Sequence, residues 1–260
     1  MPRFAPNLSM LFTEVPFLDR FDLAAQAGFT AVEFQFPYAE PADAIQTALE
    51  RNDLELVLFN LPGGDHAAGE RGLAALPDRR EAFGESVREG LAYARVLNPL
   101  LVNCLAGRVS EDDENDGILI GNVHFAAETL QAIGVGMVIE ALNDHDTPDY
   151  ALPTSRSVLE LMAEVESDNV RLQFDVYHAV RMGEDPFAII REFAHAIGHI
   201  QIADAPGRGQ PGTGEIDFPA LFETIDRSDY DGWVGLEYNP QGTTIDSFAL
   251  LRSLGYLQAR

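Results

Sequence analysis

Short apolar runs alternate with longer amphipathic segments from one end of the chain to the other. Runs such as "MVIEAL" are apolar without the every-other-residue alternation of a half-exposed strand, as expected for strands covered on both faces. The pattern predicts strands near 5–11, 31–36, 54–60, 100–105, 136–142, 170–176, 199–203 and 232–238. Between and after them it predicts helices near 17–27, 41–51, 78–97, 118–133, 154–166, 186–197, 217–228 and 243–256. Local punctuation agrees. "GF" at 28–29 and "DG" at 231–232 each end a helix and begin a strand. Thr154 is placed to cap a helix whose apolar face runs through Val158, Leu159, Met162 and Val165.

Eight strand–helix pairs in sequence predict an α/β protein, a (β/α)8 TIM barrel. A doubly wound open sheet is the alternative. The first strand–turn–helix unit lacks G-x-G-x-x-G, which weighs against a dinucleotide-binding sheet. No linker, low-complexity tract or repeat interrupts the pattern, so residues 1–260 read as one domain. The longest irregular pieces, 61–77 and 106–117, both follow strands, where barrel enzymes place their site loops.

Four predicted strands end in an oxygen-bearing side chain: Glu140 in "GMVIEALN", Asp175 in "VRLQFDVYH", Gln201 in "GHIQIADAP" and Glu237 in "GWVGLEYNP". On a closed barrel these four would converge on one rim. Two like charges near 4 Å repel by about 4 kcal/mol at an effective dielectric of 20, so protons or a cation must neutralise three such carboxylates. All-oxygen ligation by Glu140, Asp175, Gln201 and Glu237 favours Mg²⁺ or Mn²⁺. A metal there would polarise a hydroxy-carbonyl compound while a carboxylate moves protons, chemistry suited to aldose–ketose isomerisation through an enediolate. The competing reading makes each acid an ordinary loop-start or helix-capping residue.

Composition narrows the chemistry further. The net charge of −25, from 42 acidic and 17 basic residues, disfavours nucleic acid and anionic membranes as partners. Every basic residue among the 17 is arginine, which excludes a lysine Schiff base or lysine general base. The lone Cys104, in "LLVNCLAG", reads as a small buried hydrophobe, and one cysteine agrees with a reducing cytoplasm. No secretory segment or membrane-spanning run is evident, so a cytoplasmic location is expected; a homo-oligomer stays open. The acidic run 111–116 lacks calcium-loop spacing and reads as a solvated loop.

The stretches "NLSMLFTE", "VEFQFPY", "NLPGGDHAAGERG", "FDVYHAVRM", "HIQIADAPGRGQPGTGEIDF" and "GWVGLEY" together resemble the hydroxypyruvate isomerase family, within the xylose-isomerase-like barrels, over nearly the whole chain. The resemblance implies a divalent metal on Glu140, Asp175, Gln201 and Glu237, with Glu140 and Glu237 as the proton-transfer pair. It implies conversion of hydroxypyruvate to 2-hydroxy-3-oxopropanoate, or isomerisation of a longer 2-oxo sugar acid such as 2-dehydrotetronate. His178 resembles a position that contacts substrate oxygens. Arg208, and less directly Arg71, could grip a substrate carboxylate through the guanidinium fork. The chain departs from the family pattern at Ala141, at Asp144 before His145, and at His66, all in loops that could touch substrate. Two other functions place different demands on the chain. An apurinic endonuclease would need more histidine ligands and a basic surface; a sugar-acid-binding barrel would bind without turnover.

Overall fold

The computed structural model describes residues 1–109 and 116–257; the acidic run 111–116 therefore lies almost wholly outside the described residues. The eight strands are β1 (Arg3–Pro6), β2 (Ala31–Glu33), β3 (Glu55–Asn60), β4 (Leu101–Asn103), β5 (Gly136–Glu140), β6 (Val170–Asp175), β7 (Ile197–Ile202) and β8 (Trp233–Leu236). The α-helices are α1 (Arg20–Ala27), α2 (Ala42–Asn52), α3 (Arg80–Leu97), α4 (Asp116–Gln131), α5 (Ser155–Val165), α6 (Val176–Arg181), α7 (Pro186–Phe193), α8 (Phe218–Arg227), α9 (Thr244–Ser247) and α10 (Ala249–Ser253).

The strands form one parallel sheet in the order β1-β8-β7-β6-β5-β4-β3-β2. The two ends of that order meet. Asn7, just beyond β1, bridges in parallel to Glu33 of β2, and Leu8 N donates to Glu33 O at 2.7 Å. The result is the (β/α)8 barrel expected from the apolar pattern. Most of the apolar core lies between the helices and the sheet. A second, smaller cluster contains Ala5, Ala31, Val57, Val138 and Trp233. These residues come from β1, β2, β3, β5 and β8, and side chains from strands so far apart can meet only in the lumen.

Several expected boundaries shift for local reasons. β1 ends at Pro6, and the chain then turns, with Phe12 in the left-handed region at φ 57°. The helix expected over 243–256 breaks at Phe248 into α9 and α10, and the Phe248 ring is fully buried near Phe12 and Phe29. α7 stops at Phe193, and a single 3-10 turn leads into β7. The short helix α6 was not expected. It starts because Asp175 accepts hydrogen bonds from Tyr177 N and His178 N. Thr154 caps α5 as expected, in a reciprocal arrangement with Ser157.

The two long site loops join at the carboxyl rim. Gly72 bridges to Ala106, with φ at 112°, and an added Cβ would lie 2.3 Å from the carbonyl oxygen of Leu105. Only glycine lets the 61–77 segment, which carries His66 and Arg71, approach this closely.

Candidate active site

Every strand delivers a polar side chain to the carboxyl rim or just below it. In chain order these are Asn7, Glu33, Asn60, Asn103, Glu140, Asp175, Gln201 and Glu237, all buried. Register explains how the later ones meet. Asp175 on β6 pairs with Gln201 on β7, and Gln201 pairs with Gly235 on β8, two residues before Glu237.

A cavity of about 260 Å³ opens above them, lined among others by Glu140, Glu237, His178, Arg71, Arg208 and His66. That volume lies below the roughly 300–1,000 Å³ typical of pockets for drug-sized ligands, so it suits a small ligand. Arg71 is held at the rim by donating to the carbonyls of Glu70 (2.8 Å) and His66 (3.2 Å). The His66 ring lies against Phe36, with centroids 4.2 Å apart.

Arg208 supplies positive charge among the acids. Its Nη2 donates to Glu237 Oε2 at 2.6 Å and lies 3.9 Å from Asp175 Oδ2, while its guanidinium sits over the Tyr177 ring. Even so, burial pushes the Asp175 carboxyl up to about 7, with the Glu237 charge adding to the rise and Arg208 opposing it. Burial likewise raises Glu237, against the pull of Arg208. Glu140 rises well above the usual carboxylate range, through burial and then the charges of Glu237 and Asp175. Each of these acids is therefore poised to hold a proton or to share a cation.

Glu140, Asp175 and His178 each present one atom, all within 4.8 Å of one another, a group able to surround a metal ion. Asp175 Oδ2 and His178 Nε2 are buried without a hydrogen-bond partner, so something must complete them. The hydrogen bonds sort their roles. His178 Nδ1 accepts from Asn143 N at 3.0 Å, and a backbone N–H can only donate. Burial and Arg208 lower the imidazole to about 3, so it is neutral near pH 7 and its single proton belongs on Nε2. His178 thus faces the cavity as a donor, whereas the two carboxylates offer lone pairs suited to a hard divalent cation.

Gln201 is not among the residues that line the cavity. Its Nε2 donates to Glu33 Oε1 (2.7 Å) and Glu237 Oε1 (3.2 Å), while its oxygen accepts from Gln173 Nε2 at 2.6 Å. Presenting the oxygen toward Glu237 requires the amide to turn over.

Sequence reasoning overlooked the amides of the first four strands. Asn103 Nδ2 donates to Glu140 Oε2 at 3.1 Å, and Asn7 Nδ2 and Gln35 Nε2 each donate to Glu237 Oε1 at 3.0 Å. The available signal was a polar residue closing an apolar run, as in "LVNC" and "VEFQ". Asp146 also lines the cavity and accepts from Tyr177 Oη at 2.7 Å. Cys104 is buried, and burial pushes its thiol up to about 12, as befits a core residue.

A closed barrel with buried acids at its carboxyl rim defines a class, and the profile of the family described as Xylose isomerase-like TIM barrel matches residues 21–254. The chain belongs to that family. Within it, the chain is 45% identical over 247 residues to hydroxypyruvate isomerase of Escherichia coli, covering 94% of this chain and 96% of that one. It is 43% identical to 2-oxo-tetronate isomerase of Pectobacterium atrosepticum over 95% of each chain. Among solved structures, one titled AP endonuclease, family 2 from Brucella melitensis superposes with a TM-score of 0.94 at 41% identity, covering 97% of this chain and 99% of that one. No helix among the described residues is long and apolar enough to cross a membrane.

Proposed function

We propose that this protein is a divalent-metal-dependent isomerase of small 2-oxo acids that converts hydroxypyruvate to 2-hydroxy-3-oxopropanoate, with 2-oxo-tetronate as the longer alternative. The observation that carries this reading is one small cavity lined by two buried glutamates with raised proton affinity, two arginines and a neutral histidine donor. The relatives named hydroxypyruvate isomerase and 2-oxo-tetronate isomerase support the substrate class.

Glu140, Asp175 and Glu237 would hold Mg²⁺ or Mn²⁺, with Gln201 joining through its oxygen if its amide turns. The unpartnered Asp175 Oδ2 and the mutual repulsion of the acids fit such a cation. When bound, the metal supplies Lewis acidity toward the substrate's adjacent oxygens. Arg208 and Arg71 grip the carboxylate and orient the acid. One of the pair Glu140 and Glu237 takes a proton from C3, leaving an enediolate, and a proton is delivered to C2. The C3 hydroxyl proton passes to the C2 oxygen, so atoms balance. His178 Nε2 donates to a substrate oxygen as charge develops there.

The test is proton exchange with solvent. Chelator-treated protein, reloaded with Mg²⁺ or Mn²⁺ and given either acid in D₂O, should place deuterium on carbon and form the aldehyde isomer. Binding without exchange would sink the isomerase reading in favour of a sugar-acid-binding barrel.

A further inference from the structure

Arg208 reaches the cavity from a loop with no regular helix or strand of its own. The chain leaves β7 at Ile202 and enters α8 at Phe218. Between them the backbone is pinned at three places. Asp204 N donates to Gly209 O at 2.8 Å, Asn239 N donates to Arg208 O at 2.8 Å, and Glu215 N donates to Ala205 O at 3.0 Å. Arg208 itself sits in the left-handed region, with φ at 52°. A residue other than glycine enters that region rarely, and stays there when its surroundings hold it.

The holding group is a buried side chain that the proposed chemistry does not use. Asp204 is 1% exposed. Its Oδ2 accepts from Gly212 N at 2.9 Å and from Gly214 N at 2.7 Å, and its Oδ1 accepts from Ile216 N at 3.1 Å. Three alternate N–H groups of the far limb thus converge on one carboxylate at the foot of the near limb, and a carboxylate is the strongest acceptor a side chain offers them. The two limbs lie so close that a Cβ added at Gly214 would collide with Ala205 O and lie 2.6 Å from Asp204 Oδ1. Glycine is the residue that permits this approach.

We infer that Asp204 is a positioning residue for substrate binding: it gathers the 212–216 limb and so holds Arg208 in the conformation that carries its guanidinium to the cavity. The inference rests on the reading above that Arg208 grips the substrate carboxylate. Arg208 lines the cavity, and its Nε is buried without a hydrogen-bond partner, an unmet donor on the group that is to bind an acid. Without the Asp204 carboxylate the far limb loses three of its anchors, and two backbone hydrogen bonds are left to keep Arg208 in an unfavoured conformation. The three partners of Asp204 are backbone N–H groups of the same loop, so filling the metal site leaves the bracing intact.

The experiment measures KM and kcat for Asp204→Ala, Asp204→Asn, Arg208→Ala and the double variant Asp204→Ala/Arg208→Ala in the full-length, metal-loaded protein. A hydrogen bond to a charged group corresponds to about 10–100-fold in an equilibrium constant, so Arg208→Ala, which removes the grip, should raise KM by at least about tenfold. Asp204→Ala should raise KM by roughly tenfold, no more than Arg208→Ala does, and change kcat by less, because the glutamates assigned to proton transfer are untouched. Asp204→Asn keeps one oxygen for the Gly212 and Gly214 N–H groups and should fall between Asp204→Ala and wild type. In the Arg208→Ala background the Asp204 change should add nothing to KM, since the residue it positions is already gone. A purely structural role would add in full there. Multiplicative losses in the double variant therefore overturn the inference, as does a folded Asp204→Ala with wild-type KM or a loss confined to kcat. If Asp204→Ala fails to fold, Asp204→Asn enters the same double-variant comparison. A wild type that isomerises neither acid would instead remove the isomerase reading. The positioning claim is then decided by crystal structures of wild type and the folded Asp204 variant: Arg208 O released from Asn239 N supports it, and an unmoved Arg208 refutes it.

Discussion

The two halves of the barrel carry different chemistry to the same rim. β5 to β8 bring Glu140, Asp175, Gln201 and Glu237; β1 to β4 bring Asn7, Glu33, Asn60 and Asn103. The closing half holds the acids that face the cavity. The opening half holds mostly neutral amides, and those of Asn7 and Asn103 donate to acids on the adjacent strands β8 and β5 of the closing half. Neutral donors fix a carboxylate's position without adding charge; at Glu237 they stand beside the opposing charge of Arg208. Glu33 is the exception in the opening half, and it is matched by His199.

The comparison can be broken most directly by removing acids. Glu140→Gln and Glu237→Gln keep shape but remove proton transfer, so each should lower kcat by about 10²–10⁴-fold. Steady-state kinetics with either 2-oxo acid will show this, and turnover within tenfold of wild type would dissolve the distinction between the halves. Asn103→Ala should cost less. It removes one hydrogen bond to a charged group, about 1.5–3 kcal/mol, which corresponds to roughly 10–100-fold in rate if it is felt wholly at Glu140. A loss as large as that of Glu140→Gln would mean that the amides are as central as the acids.

The smallest effect is on stability and needs no substrate. In the metal-free protein the Asp175 carboxyl is raised from its ordinary 3.8 to about 7, and Glu140 and Glu237 are raised as well. A raised carboxyl binds its proton more tightly when folded, so stability is lost as pH rises toward and through the folded value. His178, lowered to about 3, acts oppositely as pH falls below its ordinary 6.5 and is silent above it. Between about pH 6.5 and 8 the acids alone should act, and the melting temperature should fall. Each 1 kcal/mol corresponds to about 2–4 °C for a chain of this size range. Added Mg²⁺ or Mn²⁺ should flatten that fall in a calorimetric series. A metal-free profile flat over this range would show that the acids of the closing half do not burden the fold.

The closing half was the legible half. Glu140, Asp175 and Glu237 stand out because an acid ends an apolar run three times over, and repetition is visible without coordinates. Asn7, Asn60 and Asn103 end strands just as regularly, but an asparagine at a strand end is also what any turn would use. The Glu33–His199 contact joins residues 166 positions apart, and nothing local in either sequence marks it. Asp175 shows the two readings of a strand-end acid to be compatible: one oxygen caps α6 while Oδ2, within reach of Glu140 and His178, has no hydrogen-bond partner. The broken helix at Phe248 was hidden for a different reason. Its apolar spacing continues through the break, and only the burial of one ring against Phe12 and Phe29 interrupts the backbone.

Where β1 meets β2, the cylinder is fastened by little more than the Asn7–Glu33 bridge and the Leu8 hydrogen bond. Asn7, at that fastening, also donates its side-chain amide to Glu237 and to Glu33. Architecture and chemistry therefore share one seam, and heat that loosens it should silence the enzyme before the rest of the wall gives way.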